Sequence, residues 1–378
     1  MRRDESWPDD DVDDIELNSW LEKSSREFND IDGDSSTYSK CRGCCRGATS
    51  CKGMAFLICV IFLAIAVSLG LMGMVDQQEL GIHFVVIGDW GVASPDQALV
   101  SKAMQGTCSE ASPCDFVVST GDNFYDKGVN ATNDSLWNSV WASVFPASIA
   151  PVWFPVLGNH DYEGNPDAQV EYQKVDSRWQ MPSRFYEKVF PEEDDSYVSN
   201  EEFRVHFFFL DTTCLLYDWY KSRISESVLK SDCVEKESVW LKTALEASKA
   251  RWKIVVGHHP LRSSFDHSRT AEQQEMLEMA IGALVRDNGV HLYLSGHDHS
   301  LQVLNDNKKN EKLLHVVSGA GGSTLGGFGA STTPYAGSLF FNNTRFGFVD
   351  VNVDFHTLSI NLVDTDNKSL FTAKIEQE

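Results

Sequence analysis

Five short apolar segments of the chain each end in a glycine followed by residues that can bind a metal. The clearest is Phe116-Val117-Val118, which leads into Gly121-Asp122-Asn123-Phe124-Tyr125. A β-branched segment ending in Gly-Asp is typical of a buried strand that presents a carboxylate on the loop beyond its carboxyl end. The other four segments end in Gly88-Asp89-Trp90-Gly91, Gly158-Asn159-His160-Asp161, Gly257-His258-His259 and Gly296-His297-Asp298-His299.

Together these strand ends supply three histidines, two aspartates, one asparagine and one tyrosine, more donors than one metal can hold. Two metals that share a bridging carboxylate would use all of them. His297 and His299 occupy alternate positions of an extended turn, so their imidazoles can point at neighbouring metals while Asp298 turns away. The pattern therefore predicts a binuclear metal site.

In this order, the motifs resemble those of the metallophosphoesterases and, within them, the small, tartrate-resistant type of purple acid phosphatase. The resemblance extends over roughly residues 80–378. Many metallophosphoesterases carry Asp-x-His in the first motif, whereas this chain has Asp89-Trp90-Gly91 and offers Tyr125 instead. A phenolate is a hard, anionic donor suited to Fe(III), the metal that the resemblance implies.

The resemblance implies a role for each donor. Fe(III) would be bound by Asp89, Tyr125 and His299. A divalent metal (Fe, Zn or Mn) would be bound by Asn159, His258 and His297, with Asp122 bridging the two metals. The substrate-contacting histidines of the family correspond to His160 and His267, whereas His259 occupies a variable position and receives no role.

The function implied by the resemblance is hydrolysis of phosphate monoesters, including phosphoproteins, by an acid phosphatase. The metals would lower the pKa of a bound water, so that hydroxide attacks the phosphoryl group at mildly acidic pH. His160 would contact phosphate oxygens, and a histidine or its water would protonate the leaving alkoxide. Two alternatives stay open: a metallophosphodiesterase or nucleotide pyrophosphatase with another metal pair, and a catalytically inactive binding protein.

The elements that position the motifs follow an α/β order. Helices are predicted at 96–106, 235–250 and 271–287, and the last two each precede a strand with a histidine motif. Helix 235–250 should bury Val239, Leu241, Ala244 and Leu245, and alternation at 346–353 and 357–363 predicts a closing hairpin. The resemblance implies a four-layer α-β-β-α sandwich with two packed mixed sheets.

Two loops near the predicted site have two interpretations each. The loop from Cys214 to Cys233 has no clear period. Proteolytic nicking there, at Lys221, Arg223 or Lys230, would raise activity, or the loop is a passive insertion. The Gly-rich loop 319–330 could border the phosphate pocket, although it matches no phosphate-binding motif.

Charge and composition exclude one class of partner. The 378 residues carry a formal net charge of -23, so most of the surface would repel a nucleic-acid backbone. A hydrophobic content of 42% is enough for a large core, which favours one α/β domain with additional segments.

Residues 54–75 carry no charge and form a 22-residue apolar stretch, which is long enough to cross a bilayer. Basic residues precede the stretch and acidic residues follow it, so the positive-inside rule predicts a signal anchor with a cytosolic N-terminus. The predicted divisions are a disordered acidic tail at 1–53, a transmembrane anchor at 54–75, and a phosphatase domain at 76–378. That domain would face the lumen of an endosome or lysosome, or the cell exterior.

Cysteines and glycosylation sequons agree with this division. Four cysteines border the basic edge of the anchor, where palmitoylation is favoured over a zinc knuckle: Cys41, Cys44, Cys45 and Cys51. Beyond the anchor the predicted disulfides are the local pairs, Cys108 with Cys114 and Cys214 with Cys233, out of three possible connectivities. Predicted N-glycosylation sites are Asn130, Asn133, Asn342 and Asn367.

Overall fold

The computed structural model describes residues 81–191, 203–264, 268–305, 313–325 and 335–377. The predicted tail, the predicted membrane span at 54–75 and His267 lie outside these ranges. Among the residues described, no helix has the length and apolar character needed to cross a membrane.

The first of two mixed sheets contains the strands that lead into the first three motifs. Its order is β13-β12-β11-β1-β2-β3, in which β1, β2 and β3 are parallel and the other neighbours are antiparallel. The short β3 lies at the sheet edge, where a proline such as Pro155 is tolerated. The strands are β1 Ile82–Ile87, β2 Phe116–Ser119, β3 Trp153–Pro155, β11 Gly347–Val353, β12 Thr357–Asp364 and β13 Ser369–Glu376.

The second sheet contains the strands that lead into the two histidine motifs. Its order is β10-β8-β9-β7-β6-β5-β4, in which β5, β6, β7 and β9 are parallel. The strands are β4 Tyr186–Phe190, β5 Val205–Phe209, β6 Trp252–Val256, β7 Leu292–Ser295, β8 Leu301–Asn305, β9 Leu314–Ser318 and β10 Ser338–Asn342.

Aromatic side chains join the two sheets. The ring centroid of Phe207 on β5 lies 5.3 Å from that of Phe84 on β1 and 5.5 Å from that of Phe116 on β2. Both contacts are edge-to-face, the arrangement that aromatic quadrupoles favour. The sheets therefore pack face to face, which confirms the predicted pair of packed mixed sheets.

Helices connect the strands. Helix α1 begins after Ser94, whose hydroxyl accepts a hydrogen bond from the Gln97 amide at 3.0 Å, a normal N-terminal cap. The helices are α1 Pro95–Thr107, α2 Pro166–Tyr172, α3 Thr212–Leu215, α4 Tyr217–Tyr220, α5 Cys233–Ala247, α6 Ser268–Leu277 and α7 Ala283–Asp287. Short π-helical segments occupy Trp137–Ala142 and Glu278–Gly282, and a single 3₁₀ turn occupies Asp161–Glu163.

Two details of the predicted elements are wrong. Val239 is 59% exposed, because the buried face of α5 follows the four-residue spacing of Glu237, Leu241 and Leu245. The loop from Cys214 contains the end of α3 and all of α4, whose four-residue lengths are too short to produce a helical period. The predicted closing hairpin is confirmed as the antiparallel pair β11 and β12, and a third strand, β13, extends it.

Both predicted disulfides are confirmed. Cys108 is bonded to Cys114, and Cys214 to Cys233, so the second bond closes the segment that contains α4. Of the four sequon asparagines, three are exposed and Asn342 is half-buried. Glycosylation at these positions stays a prediction.

Candidate metal centre

The predicted donors converge at the carboxyl ends of β1, β2, β3, β6 and β7. The Asp89 carboxylate, beyond β1, accepts a hydrogen bond at 2.9 Å from the His297 amide, beyond β7. His258, beyond β6, contacts the Thr120 carbonyl, beyond β2, at 2.8 Å. Parallel strands from both sheets thus end at one place, where α/β folds typically bind ligands.

Tyr125 lies at the centre of one group of donors. Its hydroxyl oxygen is 3.0 Å from Asp89 Oδ1, 3.0 Å from Asp122 Oδ2 and 3.1 Å from His299 Nε2. His299 Nε2 is also 3.3 Å from Asp89 Oδ1. Two carboxylates, a phenol and an imidazole therefore face one point.

His258 lies at the centre of the second group. Its Nε2 is 3.2 Å from Asn159 Oδ1, 3.2 Å from His297 Nδ1 and 3.5 Å from Asp122 Oδ2. Asp122 Oδ2 belongs to both groups, which is the position that a bridging carboxylate needs.

Backbone carbonyls orient two of the imidazoles. His258 Nδ1 donates to the Thr120 carbonyl at 2.8 Å, and His299 Nδ1 donates to the Thr324 carbonyl at 2.6 Å. A carbonyl only accepts, so each Nδ1 carries the hydrogen and each Nε2 presents its lone pair to the donor cluster. The Thr324 contact also places part of the Gly-rich loop beside the centre.

The backbone of the site is strained, and its glycines allow close approach. Asp89, Asp122 and His297 have φ values of 56°, 51° and 65°, in the left-handed region that non-glycine residues rarely adopt. A Cβ on Gly158 would lie 2.2 Å from Asp122 Oδ1, and one on Gly296 would lie 2.4 Å from Asp89 Oδ2. These two glycines therefore make room for a carboxylate donor from another motif.

The charge distribution suits bound cations. Asp89 and Asp122 are buried, and no lysine or arginine among the described residues forms an ion pair with either. Burial opposes ionisation of Asp122, but the charges and hydrogen bonds of His258 and His160 together outweigh burial and lower the pKa of Asp122. Burial, and then the charges of Asp122 and Asp89, raise the pKa of Tyr125. Buried carboxylates whose charged neighbours are histidines rather than lysine or arginine, beside a phenol donor, are a donor set that fits metal ions.

Asp161 supports the donor loops from outside the cluster, a role that the sequence analysis missed. Its buried carboxylate accepts hydrogen bonds from the amides of Gly158 at 2.8 Å, Asn123 at 3.1 Å and Phe124 at 3.2 Å. These bonds tie the loop after β2 to the loop after β3. In the sequence, this role of Asp161 is indicated only by its position as the last residue of the motif Gly-Asn-His-Asp.

His160 lies beside the cluster without joining it. Its Nδ1 donates to the Asp126 carbonyl at 2.6 Å, and its ring centroid is 4.6 Å from that of Tyr125. Its amide donates to Asp122 Oδ1 at 2.9 Å. Asp298 contacts the Ser263 hydroxyl and so turns away from the donors, as its motif predicts.

Comparisons with known proteins agree with this site. The calcineurin-like phosphoesterase family matches residues 82–301. Purple acid phosphatase 17 of Arabidopsis thaliana is 36% identical over 281 residues, which cover 71% of this chain and 77% of that protein. The human tartrate-resistant acid phosphatase type 5 is 30% identical over 326 residues, covering 83% of this chain and 96% of that protein. This chain belongs to the purple acid phosphatases.

A solved structure is similar as well. It is described as "GAP50 the anchor in the inner membrane complex of Plasmodium", with 28% sequence identity and a TM-score of 0.67. The similarity covers 79% of this chain and 89% of that one. Membership of the purple acid phosphatases confirms the predicted enzyme class and implies a binuclear centre containing iron, whereas the identity of each metal stays a prediction.

A cavity of about 530 Å³ lies beside the metal centre of this purple acid phosphatase. One of its walls includes the donor Asn159, and another is formed by α4 and the residues that follow it. Its lining is mixed, with two aromatic hydroxyls and two cations: Tyr162, Tyr220, Lys127 and Arg223.

Two buried carboxyl groups lie outside the donor cluster, beneath the disulfide-closed segment. Asp211 accepts a hydrogen bond from the Tyr162 hydroxyl, and its amide donates to Glu237 Oε1 at 2.7 Å. Burial raises the pKa of Asp211 to about 6. Burial, and then the charge of Asp211, raise the pKa of Glu237 well above its ordinary value.

This pair should make the purple acid phosphatase domain more stable in acid. The unfolded carboxyls lose their protons near pH 4, whereas the folded pair still holds them. The free energy of unfolding should therefore fall as pH rises from about 4 through about 6. Glu237→Gln should reduce that fall in urea denaturation at several pH values, and Glu235→Gln, exposed on the same helix, should not. Equal pH dependence in wild type and Glu237→Gln would contradict the assignment.

Proposed function

We propose that the chain hydrolyses phosphate monoesters at a binuclear Fe(III)–divalent metal centre and works best in acid. In this proposal Fe(III) is held by Asp89, Tyr125 and His299. The divalent metal, Fe, Zn or Mn, is held by Asn159, His258 and His297, and Asp122 bridges the two metals.

One observation carries the proposal: the hydroxyl of Tyr125 lies within 3.1 Å of three donors, Asp122 of its own motif and Asp89 and His299 of two others. Replacement of the usual first-motif histidine by a tyrosine in the same cluster supports an Fe(III) site in particular. The position of Asp122 Oδ2 in both donor groups supports two metals rather than one.

When bound, the two metals would supply Lewis acidity and a water of lowered pKa. The chain's own residues would position the substrate. His160 Nδ1 donates its hydrogen bond to the Asp126 carbonyl. Nε2 is therefore the ring atom available to a phosphate oxygen or to the leaving oxygen. A hydrogen on Nε2 can be donated to the developing charge or transferred to the leaving alkoxide.

His160→Ala tests this role. The variant should lower kcat by about 100-fold, the lower end of what a positioned acid or base contributes. Metal content should not change, because the imidazole is outside the donor cluster and the backbone amide that binds Asp122 is retained. His356→Ala, on an exposed turn, is the control and should have wild-type kinetics. Loss of metal in His160→Ala would instead make His160 a structural residue.

The reaction class is tested by comparing p-nitrophenyl phosphate with bis(p-nitrophenyl) phosphate. The metal-loaded full-length protein should hydrolyse the monoester with the higher kcat/KM. A higher value for the diester would favour the alternative reading, a metallophosphodiesterase or nucleotide pyrophosphatase with another metal pair.

A second candidate is a membrane-bound scaffold without catalysis. The similarity to the structure described as an anchor in the inner membrane complex of Plasmodium favours it, as does the uncharged stretch 54–75. The complete donor set and the 36% identity to a purple acid phosphatase favour an enzyme instead. A membrane-anchored enzyme would combine both features, with its catalytic domain on the luminal or extracellular side.

Two measurements separate these candidates. Carbonate extraction of the full chain, beside a chain lacking 54–75, shows whether that stretch holds the protein in the membrane. Assay of the same membranes shows whether the protein is active. Retained metal with no turnover of any phosphate ester would support the scaffold, and turnover in the carbonate-resistant membrane pellet would support an anchored acid phosphatase.

A further inference from the structure

The second histidine of the Gly-His-His motif has a defined place beside the metal centre. His259 is buried, and its ring centroid lies 4.4 Å from that of His297 and 4.9 Å from that of His258. Although one of its nitrogens lies within 4.8 Å of a nitrogen of each of these two rings, both of its nitrogens contact hydroxyl groups. Nδ1 is 2.8 Å from Thr212 Oγ1, and Nε2 is 2.8 Å from Tyr220 Oη.

Thr212 fixes the tautomer of His259. Its hydroxyl oxygen already accepts hydrogen bonds from the amides of His258 at 3.2 Å and His259 at 3.0 Å, which occupy both of its lone pairs. Its own hydrogen must therefore be donated to His259 Nδ1. With Nδ1 accepting, the hydrogen of the imidazole is on Nε2, which donates to Tyr220.

Tyr220 is left with a hydrogen that has no acceptor. Its oxygen accepts from His259 Nε2 and, at 3.0 Å, from Gln273 Nε2, so both of its lone pairs are used. Among the described residues, no third group accepts the hydroxyl hydrogen. A buried hydroxyl whose oxygen is fully occupied can only donate, and it donates toward whatever shares its cavity.

The cavity around Tyr220 suits an anionic oxygen. Tyr220 is only 6% exposed, and it lines the same cavity of about 530 Å³ as the donor Asn159. Lys127 and Arg223 also line this cavity and form no ion pair with a described residue, and they outnumber the one acidic lining residue, Glu163. In a chain of net charge -23, two such cations at one cavity favour a bound anion.

We propose that the Tyr220 hydroxyl donates a hydrogen bond to an oxygen of the bound phosphate ester, held in that orientation by the series Thr212, His259 and Tyr220. The inference rests on the proposed function, since it concerns the substrate of the same site. No proton is transferred in this contact. Tyr220 acts on binding and orientation, and His259 acts as a positioning residue through it.

Tyr220→Phe in the metal-loaded, full-length protein tests the proposal. The ring is kept and only the donor is lost, so KM for p-nitrophenyl phosphate should rise by about 10- to 150-fold, as expected for one lost hydrogen bond to a charged group. Tyr217→Phe is the matched control, because its hydroxyl lies on the same short helix but contacts Glu226 at 2.7 Å. That control should retain the wild-type KM.

Inhibition by inorganic phosphate identifies the oxygen. If a phosphoryl oxygen is the acceptor, Ki for phosphate rises by the same factor as KM. If the ester oxygen is the acceptor, KM rises and Ki does not. Unchanged KM and Ki in Tyr220→Phe would overturn the proposal, as would a lower kcat accompanied by loss of metal or a fall in Tm, which would assign Tyr220 a structural role.

Binding measurements keep the two proposals separate. If the wild type hydrolyses no ester, the proposed function fails, and calorimetric Kd values for phenyl phosphate still decide the role of Tyr220. A weaker Kd in Tyr220→Phe than in Tyr217→Phe supports the donor, and equal Kd values overturn it.

Discussion

Asp122→Asn is expected to lower kcat for a phosphate monoester by more than about 100-fold, beyond the effect of losing an outer-shell partner of a metal ligand. Asp122 Oδ2 lies 3.0 Å from Tyr125 Oη and 3.5 Å from His258 Nε2, so it belongs to both donor groups. An amide offers one oxygen and an NH₂ group, carries no charge, and cannot neutralise two cations. Metal content, measured by plasma mass spectrometry, should fall together with kcat.

Asp364→Asn is a matched control for the loss of a buried carboxylate. Asp364 is as buried as Asp122, but it binds Arg345 at 2.7 Å and the Lys368 amide at 3.0 Å, in the turn before β13. This variant should lower the free energy of unfolding and leave metal content and kcat unchanged. Full metal content and near-wild-type kcat in Asp122→Asn would show that Asp122 does not bridge.

The convergence of the donors could be predicted from the sequence because each donor follows a strand at a fixed, short distance. Once β1, β2, β3, β6 and β7 are parallel, their carboxyl ends fall at one edge, and a residue two to six positions later has little freedom. The glycines that the motifs share have a physical reason as well. A Cβ at Gly158 or Gly296 would collide with a carboxylate from another motif.

Other parts of the site had no signal in the sequence. The acceptors that orient His258 and His299 are backbone carbonyls, of Thr120 and Thr324, and a carbonyl is present at every residue. Their position depends on tertiary packing alone.

Short or unpatterned elements were missed for related reasons. The helices α3 and α4 each have four residues, fewer than any helical period requires. The burial of Glu237 contradicts its polarity, and only its hydrogen bond from the Asp211 amide explains it. Hydrophobic patterning therefore placed Val239 on the buried face of α5, where Glu237 lies instead.

Tyr125→Phe is expected to abolish the visible colour of the iron-loaded protein. An Fe(III)-bound phenolate gives a charge-transfer band, and phenylalanine keeps the ring but cannot bind metal. Tyr125 Oη is 3.0 Å from both Asp89 Oδ1 and Asp122 Oδ2, so no other described tyrosine could replace it in the cluster. The visible absorption spectrum of the purified protein, recorded beside that of the variant, checks this directly.

Tyr162→Phe is the control for Tyr125→Phe, because it removes a buried phenol hydroxyl that does not lie among the metal donors. The Tyr162 hydroxyl binds Asp211 and Arg184 rather than a metal donor, so this variant should keep the band even if it is less stable. A band that persists in Tyr125→Phe would remove Tyr125 from the iron site. A colourless, iron-free and active wild type would have a wider consequence: the centre would then use two divalent metals, and Tyr125 would be a packing residue.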